Sequence, residues 1–241
     1  MNIYAIQSGS FILFCLGSYL IGCLLGFGQL YRFAAIEVTP EEHTARAVSL
    51  VLFGGILSGV LGPGIALLTK DWVEEAPFMG SYQSLIGLYI LIFLLLQLVD
   101  LPKPTASEQQ PRTRPFWEIT RQTSWKISVL IAALGYAAMA LIMTATPLSM
   151  QVHHHSFSAS AFVIQWHVIA MFLPSFFTGN LIQRFGEKNI MLMGIGLNLL
   201  CILINVQGHF FLSYWVALIF LGVGWNFMFI AGATLLTETY R

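Results

Sequence analysis

Charge is what this sequence has least of. Its 241 residues hold eleven Lys and Arg and eleven Asp and Glu, 9% in all, where soluble domains carry roughly 25%. With 57% hydrophobic residues beside so little charge, the chain reads as a membrane protein. The formal net charge is zero, so nothing points to nucleic acid or to an acidic partner. Cysteine is scarce too. Cys15, Cys23 and Cys201 show no CxxC spacing and all lie in apolar runs, which argues against a disulfide framework, a thiolate zinc site or a redox motif. No basic segment precedes the first apolar stretch, so no signal peptide is expected. No hydrolytic or redox constellation is visible, and neither enzyme activity nor a resident cofactor is expected.

The few charges that are present cut the chain into spans. None occurs in 1–31, 47–69, 76–99, 127–183 or 189–237. A bilayer crossing takes about 20 residues. The first three gaps each fit one helix, and the last two, 57 and 49 residues long, fit two each. The spacing predicts seven transmembrane helices, at 10–31, 47–69, 79–99, 127–150, 160–183, 189–206 and 211–236. A membrane β-barrel would show alternating segments of about ten residues instead. The expected fold is therefore an all-α, polytopic transmembrane bundle. Lys and Arg set its orientation. With residue 1 outside, ten of the eleven basic residues fall inside, and only Lys70 lies outside, next to Asp71, Glu74 and Glu75. The linker and the C-terminus are then cytoplasmic, and the loop with His153, His154 and His155 is external.

Residues 100–126 are the one long polar stretch, with Pro102, Pro104, Pro111 and Pro115. They read as a cytoplasmic linker between a first bundle, 1–99, and a second, 127–241. Thr39, Pro40 and Glu42 match a capping box that starts a helix before Arg46. Gly55 and Gly59 form a GxxxG that suits close helix packing, and Pro63 is expected to bend its helix. Gln97, Asn198 and Asn226 are expected to hydrogen-bond between helices, with substrate contact as the alternative. Single loop histidines, His43 and His209, are assigned no role.

One short stretch is awkward for a lipid-buried helix. WHVIAM, residues 166–171, places His167 and Met171 one turn apart inside a run without charge. An intramembrane histidine is costly unless partnered, which makes it a functional candidate.

After the fifth helix comes GNLIQRFGEKNIM, residues 179–191, which resembles the signature loop of the major facilitator superfamily. Gly179, Arg184, Gly186 and Lys188 match; Gln183 stands where the family usually has Asp, and Glu187 where it usually has a basic residue. The resemblance implies a conformational, gating role for this loop. It also implies that the seven helices are family helices four to ten, with helices one to three and eleven to twelve outside this sequence. Within that superfamily YRFAAIE (31–37), ATPLSM (145–150), HHHSFS (153–158), FVIQWHVIAMFLPSFFTG (162–179) and GVGWNF (222–227) resemble the CcoA-like copper importers of bacterial inner membranes. That group carries MxxxM on helix seven and HxxxM on helix eight, which fall here on Met139 with Met143 and on His167 with Met171.

The chemistry fits those residue types. Thioether is a soft, uncharged donor suited to Cu(I), and imidazole suits copper more broadly. Residues four apart share a helix face. In a hairpin with its tip near residue 155, Met143 and His167 lie at one depth and Met139 and Met171 at another, at about 1.5 Å per residue. Met139, Met143, Thr146 and Met150 form one stripe that leads to His153, His154 and His155, the arrangement of a metal entry path. The same methionines also suit plain core packing. The expected function is import of copper, as cargo, across a bacterial inner membrane by alternating access. Two alternatives stand beside it: proton-coupled transport of a small organic solute with His167 as relay, and a non-transporting membrane scaffold or metal-assembly partner.

Overall fold

The structure is a computed structural model and describes residues 1–28, 31, 39–40, 44–99 and 116–238. Ten helices run through the described residues: α1 (Asn2–Ser8), α2 (Phe11–Gly28), α3 (Thr44–Thr69), α4 (Met79–Leu96), α5 (Phe116–Arg121), α6 (Thr123–Val152), α7 (Phe157–Phe172), α8 (Ser175–Phe185), α9 (Glu187–Gln207) and α10 (Phe211–Glu238). Five of them, α2, α4, α6, α9 and α10, are long and apolar enough to cross a membrane. Together α7 and α8 are long and apolar enough for a sixth crossing, bent by 45°. The remaining expected span, 47–69, falls in α3, which includes the apolar segment Phe53–Thr69. The chain is the all-α polytopic bundle that its charge-free gaps require.

Two elements depart from the sequence reading. The polar linker expected to reach residue 126 ends sooner, because α5 occupies 116–121 and α6 begins at Thr123. Glu118 in the first turn of α5 and Arg121 in its last turn complement the helix dipole. The expected helix 160–183 is two helices, broken at Pro174, which has no amide proton to give to the preceding turn. Pro63 and Pro147, by contrast, stay inside α3 and α6. Glu42 of the expected capping box, His43, most of YRFAAIE, residues 100–115 and Arg241 lie outside the described residues.

The chain divides into two compact units, Met1–Val51 with Leu61–Thr105 and Leu52–Val60 with Ala106–Arg241. In the first, α1 ends on Gly9 at φ +64, where the amides of Gly9 and Ser10 return to the carbonyls of Ile6 and Ala5. Asn2 lies flat against α2 because position 17 is glycine, and its Nδ2 donates to Ser18 Oγ at 3.2 Å. Phe14 of α2 meets Tyr82 of α4 edge-on, ring centroids 5.7 Å apart. The α3–α4 turn closes through the amide of Phe78, which donates to the Lys70 carbonyl at 2.8 Å.

In the second unit α10 is the central helix and touches α6, α7, α8 and α9. Lipid tails are as apolar as Leu, so packing and small residues hold such a bundle together. Gly194 of α9 and Gly224 of α10 face each other, and a Cβ on either would fall within 2.8 Å of the other's carbonyl oxygen. Only glycine allows that approach. The middle of α3 belongs to this unit for the same reason: Gly55 lies against the Phe172 ring and Gly59 against Val168. Gln165 Nε2 adds a hydrogen bond to the Val60 carbonyl at 3.3 Å. The GxxxG thus packs helices, as expected of it. Two apolar cores result, one around Met150, Leu218 and Leu221 and one around Ile182, Ile190 and Phe227. The helices α8 and α9 share a single joining residue, Gly186 at φ +79, which caps the end of one and the start of the other.

Candidate functional site

His167 is fully buried. Its Nδ1 lies 2.9 Å from the carbonyl oxygen of Leu218 on α10. A carbonyl can only accept, so Nδ1 carries the proton and, in the neutral ring, Nε2 carries the lone pair. That Nε2 is buried and has no hydrogen-bond partner. One turn further along, Asn226 reaches back from α10 to α7. Its Nδ2 donates to the Met171 carbonyl at 2.7 Å and to Ser175 Oγ at 2.5 Å, and its Oδ1 accepts from Thr178 Oγ1 at 2.8 Å. The Met171 carbonyl fixes which way the amide points. Between the two clasps lies Gly222, where a Cβ would come within 2.7 Å of the His167 carbonyl oxygen. Leu218, Gly222 and Asn226 are spaced by four on α10, as are His167, Met171 and Ser175 on the facing chain. Each such interhelical bond contributes about 0.6 kcal/mol in a membrane.

The four residues singled out by MxxxM and HxxxM come together only in part. Met139 and Met171 are members of one apolar cluster with Met150, Leu218, Leu221 and Trp225, and Met143 packs half-buried on its margin. Met139 is 5% exposed, Met171 8% and Met150 0%. The stripe Met139–Met143–Thr146–Met150 therefore faces inward, with Thr146 Oγ1 returned to its own helix at the Ile142 carbonyl, 2.8 Å away. His167 borders the same cluster through Leu218.

At the end of the unit that carries the 153–155 turn, the histidines form a network. The rings of His153 and His209 stack with centroids 4.0 Å apart. His153 Nδ1 donates to the Ser149 carbonyl at 2.8 Å, and Tyr214 OH lies 2.6 Å from Ser149 Oγ and 3.2 Å from His153 Nδ1. His155 donates from Nε2 to the His209 carbonyl at 2.9 Å. His154 is exposed, at φ +61. His209, to which the sequence assigned no role, is part of this network. The signal was available: residues 208–210 are the tip of the second hairpin and must lie at the same end as 153–155. Among the described residues no three His, Cys, Asp or Glu side chains are grouped so as to hold a metal ion.

The signature-loop residues lie along α8 and its end. Gly179, Gln183 and Arg184 are exposed on α8, Gly186 is the joint to α9, and Lys188 is exposed in the first turn of α9. Arg184 lies over the ring of Phe185, 5.3 Å from its centroid. Of the three amides picked from the sequence, Asn226 bonds between helices as expected, Asn198 Nδ2 lies 3.3 Å from Met228 Sδ, and Gln97 follows the end of α4.

Several apolar spans, one of them broken beside a buried histidine and asparagine, make this a polytopic membrane helix bundle. Residues 2–241 match the model of the Major Facilitator Superfamily, and the chain belongs to that family. It is 38% identical to the riboflavin transporter RfnT of Brucella anthropi over 98% of its own length and 60% of that protein's. It is also 28% and 29% identical to two uncharacterized MFS-type transporters of Bacillus subtilis, YdeG and YddS, over 86% of this chain and 52% of each. The chain thus spans only 52–60% of the length of these curated relatives. No solved structure matches it.

Proposed function

We propose that this chain is part of a transporter that carries a small organic solute of the riboflavin kind across a bacterial inner membrane. Alternating access moves the solute, and no bond is made or broken. The observation that carries this reading is the packing of the methionines: Met139, Met150 and Met171 sit among Leu218, Leu221 and Trp225, where thioethers fill gaps in an apolar core. The 38% identity to a riboflavin transporter supports it. The cytoplasmic placement of residues 100–126 and of the C-terminus belongs to the same proposal, and rests on the distribution of Lys and Arg.

A second reading, copper import, is favoured by one observation. His167 presents an unpartnered Nε2 lone pair four residues before a methionine. A copper ion would take that lone pair together with Met171, Met139 and Met143. Uptake of radiolabelled riboflavin and of radiolabelled copper, in cells making the complete transporter, separates the two readings. Riboflavin uptake without copper uptake is the expected result. Copper uptake that disappears in Met143→Ala plus His167→Ala, with no riboflavin uptake, would reverse the order.

A further inference from the structure

The span formed by α7 and α8 bends by 45° at Leu173–Pro174. Above the bend α7 is bound to α10 at three successive points: the His167 clasp on the Leu218 carbonyl, the contact at Gly222, and the Asn226 clasp on the Met171 carbonyl. Below the bend the polar hold of α10 on α8 passes through the same Asn226 amide, to Ser175 and Thr178. Lower down the contact is apolar, with Ile182 against Phe227 and Ala231.

The Met171 carbonyl is the critical acceptor. In an unbroken α-helix it would receive the amide proton of Ser175, four residues on. Here it receives Asn226 Nδ2. The Asn226 amide thus spans the break, bound to the end of α7 through the Met171 carbonyl and to the start of α8 through Ser175 and Thr178. Bent and straight shapes of the span make a two-state element, and it can be biased only by groups that bond differently in the two states. Asn226 is such a group, since its three contacts lie on the two sides of the bend, one on α7 and two on α8.

We propose that Leu173–Pro174 is a joint at which α8 turns against α7 during the transport cycle, and that Asn226 is the positioning residue that holds the bent state. The lever is α8 itself. Eleven residues at about 1.5 Å each, turning through the observed bend, carry its far end sideways by about 10 Å. That far end is Gly186, inside the signature stretch 179–191.

The test is a distance that needs no substrate, so it stands or falls independently of which solute is carried. Spin labels are placed at Lys126→Cys and Arg184→Cys, both exposed, in the complete transporter with the exposed Cys15 and Cys23 replaced by serine. Pro174→Ala restores a backbone donor and Asn226→Leu removes the clasp. Each is expected to move the distance distribution in the same direction, by several ångström, and the double variant is expected to go no further than either alone. Uptake of whichever probe the wild type carries, riboflavin or copper, is expected to fall at least tenfold in Pro174→Ala at unchanged membrane levels. A distribution identical to the wild type in Pro174→Ala overturns the joint. If Asn226→Leu lowers yield but leaves the distance unchanged, Asn226 only stabilises the fold and its positioning role is overturned.

Discussion

The ring of His167 and the backbone of Leu218, 51 residues apart in sequence, are joined by a hydrogen bond of 2.9 Å that leaves Nε2 buried without a partner. The histidine therefore has two separable parts, one that binds helices and one that carries an unpartnered lone pair.

Asparagine can reproduce the first part alone. Its side-chain amide stands close to where Nδ1–H stands in histidine, and it has nothing in place of Nε2. His167→Asn should melt within a few degrees of the wild type while uptake falls at least tenfold. His167→Phe should lose both, because the Leu218 carbonyl loses its donor. Wild-type uptake by His167→Asn would leave His167 only the helix-binding role. Thermal unfolding in detergent and radiolabelled uptake measure the two effects side by side.

The methionines can be tested without changing volume. Leucine replaces methionine in a core for under about 1.5 kcal/mol, yet it has no donor atom for a metal. Met139→Leu and Met171→Leu should keep riboflavin uptake within twofold of the wild type. Met150→Ala, at a fully buried position, should cost about 2–5 kcal/mol. If the leucine variants abolish uptake of copper carried by the wild type, the soft-donor reading gains.

Two glycines on α9 should respond in opposite ways. A Cβ at Gly194 would meet the Gly224 carbonyl oxygen at 2.7 Å, whereas a Cβ at Gly196 meets nothing within 4 Å. Gly194→Ala should destabilise the purified protein by about 1–3 kcal/mol. Gly196→Ala should be neutral or stabilise it, since alanine is the better helix former. Equal melting temperatures for the pair would contradict the close α9–α10 approach.

Orientation is open to chemistry from either side of the membrane. In cells lacking the exposed Cys15 and Cys23, a membrane-impermeant maleimide should modify His154→Cys from outside and leave Arg184→Cys untouched. The reverse pattern would invert the assignment made from Lys and Arg.

The sequence exposed the spans because charge is so costly in hydrocarbon that its absence marks them almost residue by residue. Length and apolarity set α2, α4, α6, α9 and α10 in that way. The break at Pro174 was harder to see. Pro147 and Pro63 lie in equally apolar runs and remain inside their helices, so a proline alone does not tell a kink from a break. What differs at Pro174 is the side chain of Asn226, 55 residues from Met171, which takes the Met171 carbonyl. Nothing in local periodicity carries that pairing. The same holds for the site: His167 stood out as a lone imidazole in an apolar run, but its partner is a backbone carbonyl, which no residue type announces. The stripe of Met139, Met143 and Met150 was legible from its spacing. That it packs against Leu218, Leu221 and Trp225 depends on how α10 threads the unit.

Gly186 is the whole connection between α8 and α9. A joint of one residue has no backlash. Two torsion angles, one of them at φ +79, are all that can absorb a turn of α8, and whatever they do not absorb is delivered to α9 and, across the glycine contact at Gly194 and Gly224, to α10. In mechanical terms α8 is a crank fixed to its shaft, and lengthening the joint by even two residues would let the crank turn while the shaft stood still.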